Sequence, residues 1–318
     1  LDSQSLSMLA LLYNAANAGR FPSFWSDARV VGIPKRNSTD LRPLTVLSFH
    51  YRTWARRYAW LHREWFDSWA PPGVFGCRIR RGAADAAILA ALRIDSSRLG
   101  ISSPMHVAST DMEKYFDTLL LPSLRHLAVT AGVDDSAVRV LQHYASLRRF
   151  VFVDGQPTPF MLSGPNGCGV PQGCPLACLF TNLAAAALEL HLSGQVPGAH
   201  VQTYLDDRLY CCNSSKLLED ALRTSADFDG MLGNTCNLSK SWYAPVAARV
   251  PTNLGPLLSA VQRAVGSIPY LGVDLLLKAR SRRPLAADRL QLFHQRCSLV
   301  RRLPADQRGP CTADAVSS

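Results

Sequence analysis

The sequence has no run of roughly 18 consecutive apolar residues, so it offers no candidate for a membrane-spanning helix. Its first residues also lack the basic-then-apolar pattern of a secretory signal, and these two absences lead us to expect a soluble, intracellular protein with no membrane partner. Zinc-type spacing is missing as well. Cys168, Cys174 and Cys178 do not form a paired Cys-x2-4-Cys, and no His follows at ligand distance. The nine cysteines are an odd number and Cys211 and Cys212 are adjacent, which suits reduced thiols acting as small hydrophobes better than a disulfide framework. There is no internal repeat. The chain begins at Leu1, and residues 304–318 form a polar, small-residue tail without periodicity, so it reads as a piece of a longer polypeptide.

What is present is enough for a substantial core: 318 residues, 47% of them hydrophobic. The formal net charge is +10, unevenly spread. Residues 20–100 carry 14 Lys/Arg against 6 Asp/Glu, and residues 278–302 carry 8 against 1, whereas residues 101–277 carry 11 against 14. Two basic flanks thus bracket an acidic middle. A polyanion gripped from both sides, with central carboxylates holding metal, produces this distribution, and the runs at Arg56-Arg57, Arg78 to Arg81, Arg280 to Arg283 and Arg301-Arg302 favour nucleic acid.

Apolar spacing predicts helices over 6–18, 51–69, 82–92, 122–130, 136–147, 175–191 and 216–232, ended by signals such as Gly19 with Pro22 and Pro71-Pro72-Gly73. Strands are expected over 28–33, 44–47, 105–109, 237–243 and 270–276. Hairpins are expected over 150–162, turning at Asp154-Gly155, and around Asp206 and Asp207. The alternation fits an α+β fold, a sheet with helices on one face.

Tyr204-Leu205-Asp206-Asp207 lies between two strand-like runs, which puts adjacent carboxylates at a hairpin tip. Asp-Asp-Arg lacks a glycine or asparagine that would ease a tight turn. Neighbouring carboxylates repel unless a cation sits between them, and hard divalent ions take oxygen ligands and phosphate oxygens together. A solvated acidic turn is the other reading of this segment alone. A further acidic segment, Ser109 to Asp117, lies about 95 residues earlier, on a strand that delivers Asp111 at its C-terminal end. If Asp111 and Asp206 end neighbouring strands, their carboxylates can share two Mg²⁺ ions, with Asp207 in support, for in-line phosphoryl transfer. The reaction would be nucleotide polymerisation.

The motifs resemble those of reverse transcriptases, most closely the non-LTR (LINE-type) retrotransposon branch that lies near group II intron proteins. That family carries Asp-x4-Phe-Asp, Gln-Gly-x-Pro-Leu and Tyr-x-Asp-Asp in this order. Here they are Asp111 through Asp117, Gln172-Gly173-Cys174-Pro175-Leu176 and Tyr204 through Asp207. The similarity extends to Asn237-Leu238-Ser239-Lys240, Tyr270-Leu271-Gly272, Ile33-Pro34-Lys35, Arg42-Pro43-Leu44 and Phe75-Gly76-Cys77-Arg78, spanning about residues 24–277.

The resemblance implies a right-hand polymerase of fingers, palm and partial thumb, with an antiparallel palm sheet backed by helices. It implies an N-terminal helical extension over 1–28, fingers over 29–103, a palm over 104–277 with a fingers insertion at about 122–159, and the start of the thumb with a tail over 278–318. Its implied substrates are an RNA template, a DNA primer and dNTPs, with two Mg²⁺ ions, or Mn²⁺, held by Asp111, Asp206 and Asp207. Lys240 would be the general acid for pyrophosphate departure. Lys35 and Arg42 would pair with triphosphate oxygens, Phe116 would stand under the sugar and exclude a 2′-hydroxyl, and Gln172 and Gly173 would flank the nascent base pair. Tyr270, Leu271 and Gly272 would grip the primer. A nuclear location follows from the resemblance only.

Two departures stand out. Ala177 and Cys178 occupy places where many relatives have Ser-Pro, and Arg208 follows the second aspartate, where it can pair with Asp207 and lower its affinity for metal. No endonuclease sequence precedes the motifs and no Cys/His knuckle follows them, which fits an excised or truncated element. An RNA-dependent RNA polymerase and an inactive RNA-binding scaffold remain as alternatives; Phe116, where the former commonly has aspartate, and the three retained aspartates weigh against them.

Overall fold

A computed structural model describes residues 2–34, 41–153, 156–161 and 169–277. Helix α1 (Ser3–Asn17) is capped by Asp2, whose carboxylate accepts from Ser5 N at 2.7 Å. A short 3-10 turn (Ser23–Trp25) leads to β1 (Asp27–Pro34), β2 (Leu41–Val46), α2 (Phe49–Trp69), β3 (Val74–Phe75) and α3 (Ala83–Arg98). Next come β4 (Met105–Met112), α4 (Tyr115–Thr118), α5 (Leu121–Thr130), α6 (Asp135–Ala145), β5 (Arg148–Val153), β6 (Gln156–Met161) and α7 (Ala177–Gln195). The remainder is β7 (His200–Tyr204), β8 (Asp207–Cys212), α8 (Ser215–Met231), β9 (Cys236–Val246), α9 (Pro256–Ala260), β10 (Gln262–Arg263), β11 (Ser267–Tyr270) and β12 (Val273–Leu276). Among the described residues, no helix is long and apolar enough to cross a membrane.

The strands form three sheets. A six-stranded sheet runs β10-β9-β4-β8-β7-β3, its four central strands antiparallel. A four-stranded sheet runs β2-β1-β5-β6, in which β5 joins β1 in parallel from more than a hundred residues away. The third sheet is the β11–β12 hairpin.

Helices α7 and α8 cover one face of the six-stranded sheet, where Ala108, Val201, Tyr210 and Tyr243 join Phe180, Leu188 and Leu218 in the larger core. The opposite face is covered too. Val107, Leu209, Ala244 and Val246 pack there with Ala86, Ala90 and Ile94 of α3 and with Ile268 and Leu275 of the hairpin. Sequence alternation suggests helices on one side, but Leu209 to Cys212 are buried without a break, the pattern of a strand packed on both faces.

Of the elements that differ from their expected bounds, three bear on the sheet and its site. Helix α3 runs past residue 92 because Ile94 continues the buried stripe of Ala86 and Ala90 at helical spacing. Strand β4 runs past 109 through a bulge against β9, so Asp111 lies within the strand, its N donating to Ser241 Oγ at 3.2 Å. The stretch 270–276, expected as one strand, is instead a hairpin tip and its return strand. Leu271 (φ 49) and Gly272 (φ 72) both take positive φ, the geometry of a two-residue hairpin turn that matches strand twist. Cys174 is a buried thiol whose Sγ lies 3.3 Å from Tyr51 Oη and 2.8 Å from Tyr144 Oη. The turn expected at Asp154-Gly155 and the tail from 278 onward lie outside the described residues.

Candidate active site

The site is set by the pairing of β4 with β8. Thr110 stands opposite Arg208 in that ladder, so one step along the strands come Asp111 and Asp207. Side chains alternate faces along a strand, which sends Asp111 and Asp207 to one side of the sheet and Arg208 to the other. Asp206 occupies the tip of the β7–β8 hairpin, closed by the Tyr204–Asp207 pair. Leu205 turns the chain there with φ 57, a left-handed conformation that costs a leucine of order 1 kcal/mol or more. Sequence chemistry found no residue suited to positive φ in this turn; the strain falls on Leu205.

The three carboxylates line a cleft of about 700 Å³ together with Arg42 of β2, Phe116 of α4, Gln172 and Lys240 of β9. A smaller adjoining cavity of about 210 Å³ is lined by Asp111, Asp207, Lys240, Tyr270, Leu271 and Gly272. The two cavities thus share Asp111, Asp207 and Lys240. Of the remaining predicted residues, Gly173 lies apart, in a neighbouring cavity against α2, and Lys35 falls outside the described residues. Gly173 has φ +103, and a Cβ there would come within 3.0 Å of the Thr45 carbonyl oxygen, so it lets the loop sit directly on β2. Thr45 N in turn donates to Gln172 O at 2.9 Å.

Distant segments are tied to this cleft by a few polar contacts. Val170 N donates to Phe116 O at 2.7 Å, and Gln172 Nε2 donates to Asp117 Oδ2 at 3.3 Å. Arg149 of β5, buried at 3% side-chain exposure, donates to Gly169 O at 3.2 Å and lies 3.7 Å from Asp117. Ser109 Oγ donates to Pro269 O at 3.1 Å, and Gln202 Nε2 donates to Tyr270 Oη at 3.1 Å, which fixes the β11–β12 tip beside Asp111.

Burial, then repulsion from Asp206 and Asp111, pushes the Asp207 carboxyl up to about 7. Burial followed by Asp111 also raises Asp206, against a lowering influence from Arg42 and Arg208. A raised carboxylate pKa means that the folded chain holds protons the unfolded chain has released, so Asp207 opposes folding as pH rises from 3.8 towards 7, and Asp206 acts in the same direction. Among the described residues, no three His, Cys, Asp or Glu side chains close into a preformed metal cage. The arrangement is an open set of hard oxygen donors whose mutual repulsion a divalent cation relieves, and the donor chemistry suits Mg²⁺.

Arg208 is not the partner of Asp207. It is buried at 2% exposure and makes a two-pronged pair with Asp229 of α8, NH1 to Oδ2 at 2.5 Å and NH2 to Oδ1 at 2.8 Å, with Ser225 Oγ at 3.3 Å. Sequence reasoning missed Asp229 and Arg149. A signal existed for Asp229, an acid on the apolar stripe of α8 with Leu218, Leu222 and Ser225, since a buried carboxylate needs a cationic partner. No comparable signal marks Arg149 as inward-facing.

An antiparallel-centred sheet with carboxylates clustered where two adjacent strands meet a cleft, backed by two helices, defines a polymerase of the right-hand class. The chain belongs to the reverse transcriptase (RNA-dependent DNA polymerase) family, whose profile matches residues 33–275. Members of this family use divalent metal ions. Among solved structures it is similar to apo telomerase from Candida tropicalis truncated from the C-terminal domain, with 12% identity and a TM-score of 0.57 over 81% of this chain and 55% of that one. It is also similar to telomerase from Candida albicans in complex with a TWJ fragment of telomeric RNA, with 12% identity and a TM-score of 0.54 over 85% of this chain and 48% of that one. At such identity the likeness is one of fold, and the chain spans about half the length of these structures. No curated protein matches it.

The Arg208–Asp229 pair gives a direct test of the support beneath the site. Asp229→Ala should destabilise the fold by about 3–5 kcal/mol by leaving a buried guanidinium unpaired, while Arg208→Met with Asp229→Leu should recover most of that loss. Urea unfolding measures both; equal losses in the single and double variants would contradict the pairing.

Proposed function

We propose that this chain is the polymerase domain of a non-LTR retrotransposon reverse transcriptase, extending a DNA primer on an RNA template with dNTPs. The observation that carries the reading is the meeting of Asp111, Asp206 and Asp207 with Phe116 and Gln172 in one cleft. Asp111, Asp206 and Asp207 would hold two Mg²⁺ ions, which when bound lower the pKa of the attacking 3′-hydroxyl and offset charge on the triphosphate. Arg42, on the β2 side of the same cleft, pairs with triphosphate oxygens, and Lys35 extends that role. Phe116 lies beneath the incoming sugar and leaves no room for a 2′-hydroxyl. Lys240, which lines the same cleft from β9, donates a proton to the departing pyrophosphate. Tyr270, Leu271 and Gly272 hold the primer terminus against Asp111 and Asp207, and Gln172 with Gly173 supports the new base pair.

In this reading the four-stranded sheet and α2 belong to the fingers (29–103, with the insertion at about 122–159), the six-stranded sheet apart from its edge strand β3 to the palm (104–277), and residues from 278 begin the thumb. The pairing of β5 with β1 supports the insertion.

Primer extension on an RNA template tests the proposal. Asp206→Asn should reduce extension by at least about a thousandfold while RNA binding stays within about twofold, since it removes a metal donor and no cation; extension surviving the change would exclude the carboxylate assignment. In the same assay, Phe116→Ala should admit ribonucleotides that the wild type rejects. Unchanged selectivity would place the sugar gate elsewhere.

A further inference from the structure

Helix α2 carries features that the polymerase reading leaves without a role. Its outward face presents, at helical spacing, Phe49, Arg52, Arg56 and Trp60, with Phe49 68% and Trp60 48% exposed. From Phe49 to Arg63 the helix has no Asp or Glu. Among the described residues, the ion pair made by an arginine of this helix is the exposed Arg63–Glu64 contact at 3.8 Å, and no described carboxylate pairs with Arg52, Arg56 or Arg57. Arg57 and Arg63 lie 4.5 and 4.6 Å from the Trp60 ring, one guanidinium drawn to the ring from each side in sequence.

A solvated helix face explains the arginines, but it does not explain two large exposed aromatic rings interleaved with them. That combination matches single-stranded nucleic acid, whose phosphates meet cations while its bases stack on rings. A duplex hides its base faces and would use only the charges.

The face also adjoins a loop of the candidate active site. Phe49, Arg52, Arg56 and Trp60 line a cavity of about 600 Å³ whose other wall is Gly173 and Pro175, in the loop that carries Gln172. The helix begins four residues after Thr45, whose N is bonded to Gln172 O. From Phe49 to Trp60 the helix rises roughly 16 Å, the length of about four or five stacked nucleotides.

We propose that this α2 face is a track for the single-stranded RNA template ahead of the templating base. Phe49 and Trp60 act as stacking platforms, and Arg52 and Arg56 bind the phosphates between them. The inference rests on the polymerase reading above and names the part of the surface that receives uncopied template.

The test compares two primer–template duplexes of identical sequence in fluorescence anisotropy, one blunt and one with a 5′ template overhang of about six nucleotides, a length matched to the track. The wild type should bind the overhang substrate more tightly. Trp60→Ala, and Arg52→Ala with Arg56→Ala, should each remove about tenfold of that advantage and leave blunt-duplex affinity within about twofold. The arginine variant should also lower the salt dependence of overhang binding by about 0.7 for each phosphate that is no longer neutralised. Arg125→Ala, an exposed arginine on α5, controls for loss of charge alone and should keep the advantage. Thermal unfolding midpoints equal to the wild type's confirm that the variants fold. Variants that bind the overhang as tightly as the wild type, or lose equally on both substrates, overturn the track. Wild-type extension on the overhang substrate separates the two levels. If extension occurs and the variants behave as wild type, the track alone falls; if neither extension nor overhang preference occurs, the polymerase reading falls with it.

Discussion

Three carboxylates held at one cleft repel one another, and the β4–β8 ladder holds them there against that repulsion. Asp111 and Asp207 are brought side by side by strand register, and Asp206 is carried to the hairpin tip by a turn in which Leu205 adopts positive φ. Burial first, and then this repulsion, raises the Asp207 carboxyl to about 7. Such a cluster is unfavourable to the fold by itself. The rest of the architecture supplies what keeps it in place, with both faces of the sheet buried and each strand locked to its neighbours.

Strand alternation keeps the supporting charges separate from the functional ones. Arg208 follows Asp207 directly in sequence, yet its guanidinium lies under the sheet with Asp229 while the carboxylate faces the cleft. The same economy appears around the cleft's rim. Arg149, from a strand of the other sheet, joins the Gly169 carbonyl and Asp117, and so links the segment bearing Phe116 to the loop bearing Gln172. These contacts use residues that touch no substrate in the proposed mechanism. They fix positions to which Phe116, Gln172 and Lys240 contribute from three different parts of the chain.

Much of this was legible in the sequence because it depends on local pattern. Helix spacing, the Asp206-Asp207 hairpin and the order of the motifs each follow from neighbouring residues, and the candidate catalytic and substrate-binding residues line one cleft and its adjoining cavity, apart from Gly173 and from Lys35, which lies outside the described residues. What was not legible depends on partners far away in sequence. The second covered face of the sheet needs α3 and the β11–β12 hairpin, and the 270–276 stretch reads as one strand until Leu271 and Gly272 are seen to reverse it. The partner of Arg208 was within reach, since period-two alternation excludes Asp207 from its face and α8 offers an acid on its buried stripe.

The central claim is that the cleft holds a cluster of carboxylates at a cost that a divalent cation removes. Thermal unfolding of the wild type and Asp206→Asn, each in magnesium and in chelator, measures that directly. The account predicts that magnesium raises the wild-type midpoint, and that Asp206→Asn is at least as stable as wild type in chelator yet gains little from magnesium. A variant that is less stable than wild type in chelator, or that gains as much from the metal, would contradict it.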